Sequence, residues 1–531
     1  MPQTWIHLLL LPLALAACSD NSGEAPVPDG SVPSPTCQPA AGGGTVTVSK
    51  PILATVYTHG SAEGWLASPA VADLDGDGKS EVIAARHGAV VVWAAAGTLR
   101  FKQQVSGRIW SSPVVADIVP DRPGLELAVA ARGKVHVWDA TGQPAAGFPA
   151  SFNDELRSLA AGDIDGDGKL ELVGVTTNPA SKAGQQDIII AFNHDGSTVA
   201  GFPPNTSGAS GCDDKCYVTG GYDQNVALGD MDGDGKLDIL ATQDNAYLSL
   251  HAGDGRAFDA AAIFEERKKW PGIRFLLDYD LAQQGWAPDE QSASQAHFTN
   301  SAPVIADLDD DGTTEAIVLS SVQNAAQTDR ERGVALWVLR KDGTRPAAWV
   351  SPFHAKDYLA GLWDFDGTNV VAATNQVSLA DLDPASKGLE LVFAGFDGRI
   401  HCVDAQAREL WSHAYTTDDR VLTTGVAVVD LSGDGAPEAV FASYSPDDGK
   451  SSLFVLSATG TQLHKLPLPG RGAMAVPTVA DVDGDGTLEI LVALKDGSDR
   501  QVLSYQVIGS ADNCMPWPTG RGNLRRSAGL Q

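Results

Sequence analysis

The sequence predicts an all-β protein, a β-propeller of eight four-stranded blades, and three observations predict it. A short apolar strand, an Asp-rich turn and a second apolar strand recur eight times, the turns beginning at Asp73, Asp117, Asp163, Asp230, Asp307, Asp381, Asp430 and Asp481. Intervals between turns run from 44 to 77 residues, and the shortest suffice for four strands with their connections, the size of one blade. Gly (56) and Pro (30) are abundant, as many turns between short strands require. Hydrophobic residues at 43% supply a core and argue against wholesale disorder. Lys and Arg (37) are outnumbered by Asp and Glu (67), for a net charge of −30 that repels phosphate backbones and anionic lipid heads. A nucleic-acid partner is therefore not expected.

The chain opens with an apolar run, Ile6 to Ala17, too short to span a bilayer and suited to the core of a signal peptide. It ends in Leu15-Ala16-Ala17-Cys18, which resembles a bacterial lipoprotein signal; that resemblance implies lipidation of Cys18 as the first mature residue. Met1 to Trp5 carries no Lys or Arg, a departure from the pattern, and an ordinary secretion signal is the alternative. Ser19 after the cysteine favours an outer-membrane or cell-surface location in that family. Residues 18–44 are rich in Pro, Gly and Ser with little to bury, and read as a flexible tether to the folded body, 45–531. Membrane association is expected through the lipid alone.

Within the turns, positions one, three, five and nine carry acids. The complete sets are Asp73, Asp75, Asp77 and Glu81; Asp163, Asp165, Asp167 and Glu171; Asp230, Asp232, Asp234 and Asp238; Asp307, Asp309, Asp311 and Glu315; and Asp481, Asp483, Asp485 and Glu489. Gly follows at position six, and position seven (Lys79, Lys169, Lys236, Thr313, Thr487) is placed to offer its carbonyl. Alternate carboxylates on a tight loop, a carbonyl and a closing acid form the oxygen cage that Ca²⁺ prefers, and Mg²⁺ fits it less well. An EF-hand is disfavoured, because strands flank the loops and the closing acid comes at nine rather than twelve. The expectation is about five calcium ions, with a sixth at Asp430, Asp434 and Glu438, where Ser432 replaces the third-position acid. The turns at Asp117–Glu126 and Asp381–Glu390 are one residue longer and hold a cation, Arg122 or Lys387. Either that cation replaces the metal by pairing with the loop acids, or it is simply solvated.

These D-x-D-x-D-G-x-x-E/D loops resemble the FG-GAP repeats of integrin α-subunit propellers and their bacterial relatives. Gly147-Phe148-Pro149, Gly201-Phe202-Pro203 and the closing Trp517-Pro518-Thr519-Gly520-Arg521-Gly522-Asn523 are similar to the bacterial branch. The resemblance spans about Val46 to Arg525 and implies a calcium-bearing propeller, without fixing a ligand.

Blade 8 lacks an outer strand after Gln501 to Ile508, and the strand-like Thr45 to Tyr57 is placed to supply it and close the ring. Cys37 and Cys514 flank that seam and Cys212 and Cys216 lie close together, two possible disulfides; half a zinc site is the alternative for the second pair. Cys402 is left as a buried small hydrophobe.

In an antiparallel blade the 1–2 and 3–4 turns share one face, while the 2–3 turns and blade links share the other. The acid loops are 1–2 turns, and the long segments (inserts at 204–222, 256–300 and 344–373) all fall opposite them. Loops on a rigid scaffold carry function, so the link face is the candidate binding surface for a protein or polysaccharide. Trp270, Trp286, Trp349 and Trp363 are candidate partner anchors, or simply packing for the inserts; Asp259 to Trp270 reads as a short helix. The sequence has no G-x-S-x-G, H-E-x-x-H or P-loop motif. A non-catalytic binder is expected, with a calcium-dependent polysaccharide lyase as the alternative. Ile400 to Trp411 is similar to a quinoprotein repeat, but stands alone.

Overall fold

The computed structural model describes residues 35–40, 47–177 (except 61, 121 and 123), 188–204, 220–283 (except 222 and 245), 294–298, 301–323, 333–361, 375–497 and 500–530. Eight sheets follow one another along the chain, mainly antiparallel. Blade 1 is typical: Ala70–Ala72, Glu81–Arg86, Ala89–Ala94 and Leu99–Gln104 pair in sequence order. Its burial pattern explains the order. The first three strands are almost wholly buried, while the fourth is largely exposed on the rim. Inner strands thus read as continuous small apolar runs, because both faces of each are covered by neighbouring blades.

Blade 8 closes the ring as the pattern requires. Its own strands Thr478–Ala480, Glu489–Ala493 and Val502–Gln506 are completed by the N-terminal Ile52–Tyr57, which pairs antiparallel with the last of them. This covers the edge of Val502–Gln506 and gives blade 8 its outer strand. Among the described residues, the sheets of blades 3 and 4 have three strands each rather than four. There the outer strand shrinks to single bridges, Phe192 with Thr198 and His251 with Ala257. In blades 2 and 3 the Gly-Phe-Pro segment follows immediately. A Cβ on Gly147 would stand 1.8 Å from the carbonyl oxygen of Asp195 in the next blade, and one on Gly201 2.1 Å from that of Asp254. Only glycine permits blades to meet so closely there.

The Asp259–Trp270 segment is not the expected helix. It forms 3-10 turns at Ala262–Phe264 and Trp270–Gly272, with a short α-helix later at Tyr279–Gln283. Glu265 takes a positive φ (53°) and ends the first turn at once. Asp259 instead bridges Lys269.

The closing segment fills the axis of the ring. Backbone groups of Trp517 pair with Val428, Pro518 accepts from Val479, Leu524 from Val115, Arg525 from Ala161, Ser527 from Leu228 and Ala528 from Ile305. These partners lie on or beside the innermost strands of six blades. The Arg526 guanidinium reaches the carbonyls of Pro69 and Pro113, in blades 1 and 2, and Arg521 reaches Ser158 in blade 3. Trp517, Arg521 and Arg526 have no solvent exposure. A ring of inner strands has backbone groups facing its channel, and the tail satisfies many of them.

Cys37 and Cys514 form a disulfide, with Cα atoms 5.5 Å apart. It lies beside the loop of blade 7, whose Asp430 N–H donates to the Cys514 carbonyl. The N-terminal residues 35–40 cross the neighbouring loops, Pro35 accepting from Asp381 and Ala40 donating to Gly433. Cys402 is buried and free. Cys18, Cys212 and Cys216 lie outside the described residues, as does the signal-peptide segment.

Candidate metal sites and the opposite face

All eight first-to-second-strand turns share one hydrogen bond. The closing acid, nearly buried in every blade, accepts the N–H of the residue after position one. The pairs are Glu81 with Leu74, Glu126 with Ile118, Glu171 with Ile164, Asp238 with Met231, Glu315 with Leu308, Glu390 with Leu382, Glu438 with Leu431 and Glu489 with Val482, at 2.7–3.1 Å. One carboxylate oxygen is thus spent on pinning the turn, which leaves the other for the loop.

The first-position acid organises the rest. Asp73 accepts from Gly76 (2.7 Å), Asp77 (3.1 Å) and Gly78 (2.8 Å), and Asp163 and Asp430 take the same three donors of their own loops. Position five accepts from position seven: Asp77 from Lys79, Asp167 from Lys169, Asp234 from Lys236, Asp311 from Thr313 and Asp485 from Thr487. Among the described residues, acids converge within 4.8 Å of one another in five places: Asp73, Asp75 and Glu81; Asp163, Asp165 and Glu171; Asp230, Asp232 and Asp234; Asp307, Asp309 and Asp311; Asp481, Asp483 and Glu489. These are the five loops with complete acid sets. The loop at Asp430, Asp434 and Glu438 keeps the backbone pattern but does not bring three acids together; Ser432 donates to Asp430 instead.

Such packing of like charges is costly without a cation. Burial first, and the neighbouring aspartates after it, push Glu171, Asp238, Glu315 and Glu489 up to about 7 and Glu438 up to about 8, against the pull of their backbone hydrogen bonds. One oxygen of Asp309 is buried with no partner. An all-oxygen set of this kind fits a hard divalent cation. Two of these loops have a cation on their acids: Arg100, from the outer strand, pairs with both Asp75 and Glu81 of the first, and Lys169 pairs with Asp167 of its own loop at 3.4 Å.

In the two longer turns the cations find partners outside the loop. Arg122 pairs with Asp139 in the 3–4 turn of its own blade. Lys387 lies near Asp309 of the preceding blade and helps to lower the pull of burial there. In the Asp381 turn, Asp381 and Glu390 each keep a buried oxygen without a partner.

Neighbouring turns touch around the ring. Ser80 donates to the Val482 carbonyl, Leu125 to Leu74, Leu389 to Leu308, and the Lys236 ammonium reaches the Asp165 carbonyl at 2.7 Å. Order in one loop is therefore shared with the next.

The opposite face is built from links and 2–3 turns. Trp270 and Trp349, expected as partner anchors, are buried to within 2% and cannot present a surface. Each indole N–H is used internally, Trp270 on the Lys341 carbonyl (2.8 Å) and Trp349 on that of Ala405 (2.9 Å). The described parts of the inserts at 256–300 and 344–373 pack on blades 4 to 6, with these rings in their shared core. Trp286 and Trp363 lie outside the described residues. What the face does present near its centre was not visible in the repeat pattern. Trp65 donates to Asp223 (3.0 Å), Asp223 pairs with Arg157 (2.7 Å), Arg157 lies 3.8 Å from the Trp110 ring, and Trp110 donates to Glu155 (2.8 Å). Trp65, Trp110, Glu155 and Asp223 come from four separate links and Arg157 from the start of the strand Leu156–Gly162, so the group could be found only by folding the chain.

Fold and loops together define an eight-bladed propeller with acid-lined turns on one face. Residues 430–492, from the blade 7 turn into blade 8, match the FG-GAP-like repeat. The comparison with curated proteins gives no significant match. Among solved structures, similarity is to BBS1N in complex with ARL6DN (10% identity, 87% of this chain and 98% of that one, TM-score 0.42). It extends to BamB from Moraxella catarrhalis (13%, 86% and 98%, 0.42) and to quinohemoprotein alcohol dehydrogenase from Comamonas testosteroni (14%, 86% and 76%, 0.45).

Proposed function

We infer that the chain is a calcium-stabilised propeller held at the cell envelope by a lipid on Cys18, and that its link face binds a protein or glycan without catalysis. The observation that carries the metal part is the convergence of three acids in each of the five loops with complete acid sets, among the described residues. Calcium rather than magnesium is supported by the number of protein oxygens each loop offers, since magnesium keeps several waters and binds through one or two carboxylates. The binding part is supported by the division of labour between the faces. One is committed to metal and blade contact, while the other gathers the inserts and a polar, aromatic centre. A glycan array and an assay for unsaturated sugar products, both run with calcium, test it. Binding without turnover is the expected result; release of unsaturated products would make the protein a lyase. Labelling of Cys18 with a palmitate analogue in the expressing cell tests the anchor, and Cys18→Ser is expected to abolish it.

A further inference from the structure

On the link face, a cavity of about 560 Å³ opens between blades 1 and 2. Its walls are the two-residue turns His87-Gly88 and Arg132-Gly133 and the links that follow each blade. Two guanidinium groups, Arg108 and Arg132, line it. Neither has a hydrogen bond or ion pair from its side chain among the described residues, although the chain carries 67 acids. Arg108 is held instead by aromatic faces, 5.1 Å from the Trp65 ring and 4.8 Å from that of Trp110. Those rings are themselves fixed through Asp223, Arg157 and Glu155, so the cation is positioned in advance while its N–H groups stay free.

Arg132 is held at a conformational cost. It and His87, each the first residue of its turn, have φ of 49° and 52°, in the left-handed region that Gly or Asn fills more cheaply. Gly107 makes room for it, since a Cβ there would lie 2.3 Å from the Arg132 Cγ. A large cation kept in a turn position suited to glycine, in a cavity that a neighbouring glycine clears, points to a ligand.

We propose that this cavity binds a carboxylate-bearing saccharide unit. The carboxylate lies against Arg108 and Arg132, and ring hydroxyls donate to Asp154 and Glu155 on the same wall. The mixed lining favours this ligand over an acidic peptide. Asp154 and Glu155 would repel a run of carboxylates, whereas a uronate carries one acid and several donors on a single rigid ring. The volume is within the range of small-molecule sites and suits one or two sugar rings. The proposal rests on the reading of the link face as a binding surface and names its ligand class.

The test uses the full chain with calcium, titrated with digalacturonate, with neutral lactose and with a hexaglutamate peptide. Digalacturonate is expected to bind and to weaken at least tenfold in Arg108→Gln and in Arg132→Gly, with lactose at least tenfold weaker than digalacturonate. Arg132→Gly also relieves the left-handed φ, so it is expected to melt no lower than the parent chain, which separates lost binding from lost fold. Absence of digalacturonate binding, binding unchanged by both substitutions, or preference for hexaglutamate or lactose would each overturn the proposal. Binding of some other glycan or protein on the array would then leave the broader reading of this face standing.

Discussion

The two faces of the propeller carry information differently. The loop face repeats one hydrogen bond eight times, and its variation lies in which acids are kept and, at Asp117 and Asp381, in one extra residue. The link face repeats little, and its polar centre draws Trp65, Trp110, Glu155 and Asp223 from four links. The difference teaches that repetition marks what holds this fold together, while departure from it marks where selectivity can be built. Each face can be perturbed separately.

The largest effect is expected where the two faces share an axis. Truncation before Met515 removes Trp517 and the tail that satisfies inner-strand backbone groups of six blades, and should leave no cooperative unfolding transition in calorimetry. The milder Trp517→Ala should cost about 3–5 kcal/mol, the range for losing a fully buried aromatic. A transition unchanged by truncation would mean that the blades hold the ring unaided.

Next comes a pair that sets complete loops against incomplete ones. Asp163→Asn is expected to lower calcium stoichiometry by one ion and to reduce the melting temperature, whereas Asp117→Asn should do neither. Equal effects would show that the acid pattern does not distinguish metal loops from plain turns.

Dependence on pH sharpens the contrast further. The closing acids Glu171, Glu315 and Glu489 sit at about 7 without a cation, against 4.5 for an ordinary glutamate. The folded state therefore holds more protons than the unfolded chain across that window, and stability falls as pH rises through it. Chelated protein should melt progressively lower between pH 5 and pH 8. Calcium-saturated protein should move the other way, since the metal requires carboxylates. Parallel curves would separate these acids from the metal.

The smallest effect is expected at Arg122. Its pair with Asp139 is about one-third exposed on the cation side, so Arg122→Ala should cost no more than about 1 kcal/mol in denaturant titration. A much larger loss would restore the cation to a role inside the loop.

What the sequence could reveal follows the same division. The eight blades, the closing strand Ile52–Tyr57 and the five acid clusters were legible because each is periodic or completes a period. The axial tail was visible only as Trp517-Pro518-Thr519-Gly520-Arg521-Gly522-Asn523, a single segment whose partners are scattered around the ring. Trp270 and Trp349 misled because aromatics in long links suggest exposure, whereas these links fold back and bury them. Arg100 could not be paired with Asp75 and Glu81 before the outer strand was laid beside the loop. Arg132 leaves only a faint mark, a large residue before glycine in a two-residue turn, and Arg108, in the link after blade 1, leaves none.

Calorimetric titration of chelator-stripped protein, followed by melting with and without the ion, bears most directly on the metal loops. The expectation is about five calcium ions per chain, weaker uptake of magnesium, and a rise in melting temperature of about 10 °C or more at saturating calcium, since each site contributes about 2.7 kcal/mol at a hundredfold excess over its Kd. No heat of binding and superimposable melting curves would contradict it.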